Sequence, residues 1–260
     1  MQFSDCAVLV PSCDKYGDLW KPFFSLLFRY WSDCPYPIYL SSNSAAYEDP
    51  RVTTLATGHA DWSSELTIAL TQLRTRYVLL LLEDFFLRKS VSTGAIERVL
   101  NRMQTLDAAM LRLTPCPGPT LPIIGVPEIG YVEPGSPYRV NLQATIWRRT
   151  DLMKLLRAGE SVWDFEIRAT VRSCATPANF LCCWLPVIDY GQHVVERGKW
   201  FRHQARRYRA TGIGCDFSHR DVLSIGVQIR WRLNRLRNML LLFLPWRRRL
   251  QLMRYFHRGD

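Results

Sequence analysis

The sequence predicts an α/β protein, an open and mainly parallel sheet with helices on both sides. Three observations carry that expectation. Short apolar runs alternate with stretches whose apolar residues recur at helical spacing. One run, Tyr77-Val78-Leu79-Leu80-Leu81-Leu82, is apolar without alternation, the pattern of a central strand covered on both faces. The chain has 260 residues, 48% hydrophobic and 22% charged, the balance of a globular protein with a sizeable core rather than of a disordered one.

Ala7-Val8-Leu9-Val10, stopped by Pro11, reads as a buried strand. After a polar loop, Leu19, Trp20, Phe23, Phe24, Leu27, Phe28 and Trp31 form one helical stripe, with Pro22 expected in the first turn. Pro37-Ile38-Tyr39-Leu40 is a second strand closing on Ser41-Ser42-Asn43, and residues 52–55 are a third. Asp61 is placed to cap a helix striped by Trp62, Leu66, Ala69, Leu70 and Leu73. The central strand, residues 77–82, then stops on Glu83-Asp84. Ile96, Val99, Leu100 and Met103 mark a further helix, and residues 109–113 a further strand. Residues 114–138 hold seven prolines and four glycines, which predicts an ordered loop over a site. Residues 138–147 read as a strand, and 151–157 and 162–171 as helices.

The net charge of +11 is uneven. From Arg197 onward sixteen Lys or Arg face three acids, whereas residues 1–196 are near neutral. This divides the chain into a body, residues 1–200, and a basic amphipathic helical segment, residues 201–260, that meets something anionic. No apolar run approaches the roughly 20 residues of a membrane-spanning helix. The first residues lack the basic-then-apolar pattern of a secretory leader, so a cytoplasmic protein is expected. The eight cysteines show no Cys-x-x-Cys spacing, which argues against structural zinc and for reduced thiols. A glycine-rich phosphate loop, a Gly-x-Ser-x-Gly elbow and a His-Glu-x-x-His motif are all missing, which disfavours P-loop enzymes, α/β hydrolases and zinc proteases.

In sheets of this kind ligands bind beyond the carboxyl ends of the strands. Ser12 to Asp14, Ser41 to Asn43, and Glu83-Asp84 fall there. Two acids directly after six apolar residues require an open cleft or a cation, because bare buried carboxylates cost several kcal/mol. A second acidic group is Trp163-Asp164-Phe165-Glu166. On a helix its two acids face different ways, so one is a candidate base and the other a cap or an ion-pair partner. Lys199 and Arg197, beside Gly198, are candidates for holding a diphosphate.

The N-terminal strand with its polar loop, Trp62 and its helix, and then Tyr-Val-Leu-Leu-Leu-Leu-Glu-Asp-Phe-Phe, together resemble the nucleotide-sugar glycosyltransferases of the GT-A fold. Asn141-Leu142-Gln143-Ala144-Thr145-Ile146-Trp147, followed by Trp163-Asp164-Phe165-Glu166, looks like bacterial members that build surface polysaccharide such as lipopolysaccharide or capsule. The likeness covers roughly residues 5–200. It implies a divalent metal, Mg2+ or Mn2+, at Glu83 and Asp84, although Phe85 stands where the usual Asp-x-Asp motif has its second acid. It also implies that Ser12, Asp14, Asn43, Trp62 and Lys199 bind the donor nucleotide. An inverting base is implied at Asp164, with Glu166 as the second choice. The partners implied are a nucleotide-sugar donor and a glycan or lipid-linked acceptor.

Residues 222–249 mix arginines with Ile, Leu and Trp, the composition of a helix lying on an anionic membrane surface. That places the enzyme peripherally on the inner face of the cytoplasmic membrane. Two alternatives use the same features: a basic protein binding nucleic acid or membrane, and a transferase-like scaffold without catalysis. No nucleic-acid recognition motif is present, so no nucleic-acid partner is expected.

Overall fold

The computed structural model describes residues 5–191, 194–196 and 198–230, with Leu233, Leu236, Leu244, Pro245 and Arg248 beyond them. In chain order the elements are β1 (Cys6–Pro11), α1 (Gly17–Tyr30), β2 (Ile38–Ser42), β3 (Val52–Ala56), α2 (Trp62–Gln72), β4 (Tyr77–Leu80) and β5 (Phe86–Leu87). There follow α3 (Thr93–Thr105), β6 (Ala108–Arg112), β7 (Leu121–Ile123), β8 (Val126–Tyr131), β9 (Thr145–Arg148), α4 (Arg149–Leu155) and α5 (Val162–Ser173). The last are β10 (Asn179–Cys183), β11 (Tyr190–Gly191), β12 (Val195–Glu196), β13 (Lys199–Trp200) and α6 (Arg202–Arg209).

One nine-stranded sheet runs in the order β3-β2-β1-β4-β9-β6-β10-β8-β7. Strands β3, β2, β1 and β4 pair in parallel, as do β6 and β10. Strand β9 lies antiparallel between β4 and β6, and β8 antiparallel between β10 and β7, so these two point against the rest. Alternation along the strands splits the core in two. Val8, Val10, Leu79, Leu111, Ile146 and Leu181 pack with side chains of α1, α3 and α6. Their neighbours Leu9, Val78, Leu80, Met110, Trp147 and Phe180 pack with α2, α4 and α5. All four residues of β4 are buried, as its unalternating run requires, and each such Leu or Val contributes roughly 1.5–3 kcal/mol.

The helix starts follow local chemistry. Asp61 caps α2, its carboxylate accepting from the Ser64 N–H at 3.0 Å, and Ser92 caps α3 by accepting from Ala95 N–H at 3.3 Å. Pro22 lies inside α1 rather than in its first turn, because a 3-10 turn at Asp14–Tyr16 starts the coil early.

Other expectations are corrected. The central strand ends at Leu80, not residue 82: Leu81 still donates to the Leu9 carbonyl at 3.1 Å, but the chain then closes a turn in which Phe85 N–H donates to Leu82 C=O at 3.1 Å. Residues 114–138 are not one long loop. They contain the hairpin β7–β8, turned at Ile124-Gly125 with Gly125 at φ +76°, and β7, which carries Pro122, lies at the sheet edge. Of residues 138–147 only Thr145 onward is strand. The preceding backbone is held instead by side chains, Val140 N–H donating to Thr170 Oγ1 at 3.1 Å and Leu142 N–H to Glu166 Oε1 at 3.0 Å. Strand β10 is absent from the expected elements, although Phe180 to Leu185 form an unbroken apolar run that marks it.

Phe201, Ala205, Tyr208, Ile213 and Leu223 are buried, and Tyr208 packs edge-on against Phe86 at 5.0 Å. Residues 201–223 therefore pack on the body. Most of the basic amphipathic stretch after them lies outside the described residues. Eight cysteines are present, and all are free.

Gly130 of β8 tests the sheet edge. A Cβ there would sit 2.5 Å from the Leu121 carbonyl oxygen, 2.8 Å from Pro119 Cβ and 2.9 Å from Trp184 Cζ2. Gly130→Ala is expected to destabilise the protein by roughly 1–3 kcal/mol in urea unfolding. An unchanged midpoint would contradict this packing.

Candidate active site

The polar loops after β1, β2 and β4 meet at one end of the sheet. Asp14 and Asn43 bind each other reciprocally: Asp14 N–H donates to Asn43 Oδ1 at 3.1 Å and Asn43 N–H to Asp14 Oδ1 at 3.0 Å. Asp14 also accepts from the Ser44 hydroxyl at 2.7 Å and from Ala45 N–H at 3.1 Å. The Ser44 hydroxyl and these backbone donors hold its carboxyl below the usual range. Asn43 Nδ2 donates to Glu65 Oε1 at 2.7 Å. The pair thus locks the β1 and β2 loops together. Ser12 accepts from the Trp20 indole at 2.8 Å, and its hydroxyl bonds to Glu83.

Glu83 and Asp84 are the central residues of the Leu82–Phe85 turn. Phe85 packs against Tyr190 at 5.0 Å and belongs to the core, so the third position of the motif faces inward and offers no ligand. Burial pushes the Glu83 carboxyl up to about 7, against the pull of the Ser12 hydroxyl and the Arg220 charge. Burial and the neighbouring Glu83 raise Asp84 as well, with Glu196 adding to the repulsion. Glu83 is buried and Asp84 half-buried, and each resists ionisation beside the other. Oxygen donors of this kind suit Mg2+ or Mn2+, which typically take one or two carboxylates and complete the shell from phosphates and water. Among the described residues no group of three or more His, Cys, Asp or Glu is arranged to hold a metal. A cation here would draw its remaining ligands from a bound molecule.

Beside the acids an open cavity of about 460 Å³ is lined by Lys15, Gly198, Lys199, Ser218, His219, Arg220 and Asp221. Lys199 sits on its wall, paired with Asp221 at 3.1 Å. Glu83 and Asp84 do not line the cavity, but Arg220 faces both regions. Its guanidinium clasps Asp18 at 2.7 and 2.6 Å, donates to the Lys15 carbonyl at 2.9 Å, and lies 4.6 Å over the Tyr16 ring. Neither Arg220 nor Tyr16 was marked by the sequence. Asp18 stands 202 positions from Arg220, and no local spacing links them.

Asp164 and Glu166 differ sharply. Asp164 completes a capping box with Ser161, accepting from the Ser161 hydroxyl at 2.7 Å, and pairs with Arg168 at 3.3 Å. Glu166 instead turns toward the interior, where Leu142 N–H donates to it at 3.0 Å and burial lifts its carboxyl to about 7 against the Arg112 charge. Near it the Tyr190 hydroxyl donates to Gln143 Oε1 at 3.0 Å. A carboxyl poised near neutrality is suited to taking a proton from a hydroxyl. Trp62, half-buried at the start of α2, packs on Phe165 at 5.4 Å, a contact on the α5 side rather than at the acids. Tyr190 ties the two regions together, since its ring meets Phe85 and its hydroxyl meets Gln143.

The raised carboxyls make stability depend on pH. Glu83 and Glu166 hold protons more tightly folded, at about 7, than at their ordinary value of 4.5. Their contribution is therefore complete below the ordinary value and is lost as pH rises through about 7. Thermal unfolding is expected to show Tm falling from about pH 5.5 to about pH 8.5. The combined variant Glu83→Gln, Glu166→Gln should flatten that slope, and a slope unchanged by it would refute the burial of these groups.

No family model and no curated protein matches the sequence. Solved structures are similar at low identity. TarS 1–349 from S. aureus aligns at TM-score 0.47 and 12% identity, over 71% of this chain and 59% of that one. TarS 1–349 with UDP-GlcNAc aligns at TM-score 0.44 and 13% identity, over 83% of this chain and 69% of that one. A protein described as a nucleotide-diphospho-sugar transferase, from Desulfovibrio desulfuricans G20, aligns at TM-score 0.40 and 13% identity, over 65% of this chain and 75% of that one.

Proposed function

We propose that this chain is a glycosyltransferase of the GT-A type, moving a sugar from a nucleotide-sugar donor to a hydroxyl of a glycan or lipid-linked acceptor. The observation that carries the reading is the pair of interior carboxyls, Glu83 and Asp84, at the tip of the innermost parallel strand beside the Arg220 cation. Strand order and the sequence resemblance support it.

In this reading Glu83 and Asp84 would hold a divalent cation, which would supply positive charge against the negative charge that builds on the leaving diphosphate. Lys15, Lys199 and Arg220 line the adjoining cavity and supply further positive charge. The locked Asp14–Asn43 loops form the floor where the nucleoside rests. Glu166 takes the acceptor proton, since the Asp164 oxygens already serve the helix cap.

A thermal-shift screen of nucleoside diphosphates and sugar nucleotides, with and without Mn2+, tests the donor. A ligand at about a hundredfold excess over Kd adds about 2.7 kcal/mol, so one nucleotide should raise Tm by several degrees. Asp84→Asn should abolish the Mn2+-dependent part. Glu166→Gln should keep that shift yet slow transfer by roughly 10²–10⁴-fold. No shift with any nucleotide would overturn the reading and favour a scaffold without catalysis.

The basic segment fits an anionic membrane surface. Ile225, Ile229, Leu233 and Leu236, spaced four, four and three apart, are 52–63% exposed, and arginines interleave with them along the sequence. No helix among the described residues is long and apolar enough to cross a membrane. The full chain should co-sediment with vesicles containing phosphatidylglycerol and not with phosphatidylcholine alone, and Ile229→Glu with Leu233→Glu should lower the bound fraction severalfold. Equal binding to both vesicle types, or a salt-sensitive RNA shift instead, would remove this partner.

A further inference from the structure

Arg112, the last residue of β6, is fully buried, yet no carboxylate clasps it among the described residues. Its guanidinium donates to the carbonyls of Pro117, Tyr138 and, at 3.4 Å, Arg139, while its Nε finds no partner. A cation stripped of water and set among neutral dipoles is costly, and persists where something nearby needs its charge.

The backbone from residue 138 to 143 runs between Arg112 and α5. Arg112 holds the carbonyls of Tyr138 and Arg139 on one side. On the other, Thr170 Oγ1 accepts from Val140 N–H and Glu166 Oε1 accepts from Leu142 N–H at 3.0 Å. Tyr138 has φ +50°, a left-handed conformation that a bulky residue keeps only where its surroundings impose it. This segment has no partner strand, so side chains set its course: besides these three, Arg139 Nε donates to the Val132 carbonyl at 2.9 Å and Gln143 N–H to Asn141 Oδ1 at 2.8 Å, while Glu166 is the group that meets the Leu142 N–H.

We propose that Arg112 is a positioning residue for Glu166: it pins the 138–143 segment from one side, so that the Leu142 N–H fixes the carboxylate, and it supplies the positive charge that carboxylate faces. This rests on reading Glu166 as the base. Around Glu166 stand Arg112 from β6, Tyr190 from β11 and, beside Tyr190, Cys116 of the proline-rich segment. On its own helix Asp164 pairs with Arg168, and Arg172 pairs with Glu160. Arg112 is thus the cation that favours the ionised form of Glu166 against its burial.

Carboxyl ¹³C NMR titration of Glu166 in the full chain, assigned with Glu166→Gln, tests this. The midpoint should lie near 7 in the native protein, rise by about one unit in Arg112→Gln, and stay within about 0.3 unit of native in Arg112→Lys, which keeps the charge. An unmoved midpoint in Arg112→Gln, or equal movement in both variants, overturns the proposal. Should Arg112→Gln not fold, the Arg112 Nε–H resonance of the native protein decides. It should shift with the Glu166 midpoint and stop shifting in Glu166→Gln; a resonance flat through neutrality, or a shift that survives Glu166→Gln, overturns it. Neither measurement uses a sugar nucleotide, so failure of the transferase reading leaves both interpretable. With a donor that binds, Arg112→Gln should move the acid limb of the kcat profile upward at unchanged donor KM. A raised KM with intact kcat would place Arg112 in donor binding instead and overturn the role.

Discussion

Two carboxyls forced indoors are the constraint on which this end of the molecule depends. Phe85 and Phe86 anchor the chain just after the central strand, one against Tyr190 and the other against Tyr208. The turn that precedes them buries Glu83 and leaves Asp84 half-buried beside it. Water is largely withdrawn from Glu83, and each acid raises the cost of ionising the other. Such a pair is stable only protonated or beside positive charge. Arg220 supplies part of that charge, but it is shared with Asp18 and cannot neutralise two more acids.

Arg220 also ties the segment after α6 to the start of the chain. Its fork joins the segment after α6 to the first helix, with Tyr16 beneath it and the Lys15 carbonyl beside it. Breaking that pair would strand Asp18 and the guanidinium without water, which is far costlier than the loss of a surface ion pair. The chain thereby closes the basic cavity using residues from both of its ends.

The apolar runs and stripes marked β1, β2 and β3, the innermost strand, β6, and the helices α1, α2, α3 and α5 to within a few residues, because periodicity reports burial directly. The Asp61 cap was legible for the same local reason. Where order comes from distant partners the sequence was silent. The hairpin β7–β8 lies within a proline-rich stretch that resembles a loop, whereas β10 had its signal in the apolar run from Phe180 to Leu185 and was missed. Residues 138–144 look like strand because apolar and polar residues alternate, yet they are ordered by side chains that include Arg112, Arg139, Thr170 and Glu166. At the site, residue types and strand ends marked Glu83 and Asp84, and the structure puts both in the turn after the central strand, whereas Arg112, Tyr190 and Arg220 depend on contacts that no spacing encodes. The choice between Asp164 and Glu166 turned on one local rule: Ser161 three residues before Asp164 is the capping-box spacing, and it accounts for that carboxylate without any substrate.

The positive charge of the C-terminal part is not one uniform surface. Arg220 is only 9% exposed, and its donors are taken by Asp18, Lys15 and Gly198. A guanidinium so enclosed adds nothing to attraction at a distance, and counting it with the other arginines overstates what the tail presents outward. Leu223 is the last buried residue before the exposed series begins at Ile225. From that point apolar side chains face water with no protein surface over them among the described residues, and Arg230 follows among them. Two regimes therefore adjoin within a few residues: before Leu223 charge serves to hold the site together, and after it apolar and basic groups stand outward together. On the proposed reading, a contact with an anionic surface would be made by the second regime alone and would leave the cavity at Lys15, Lys199 and Arg220 open.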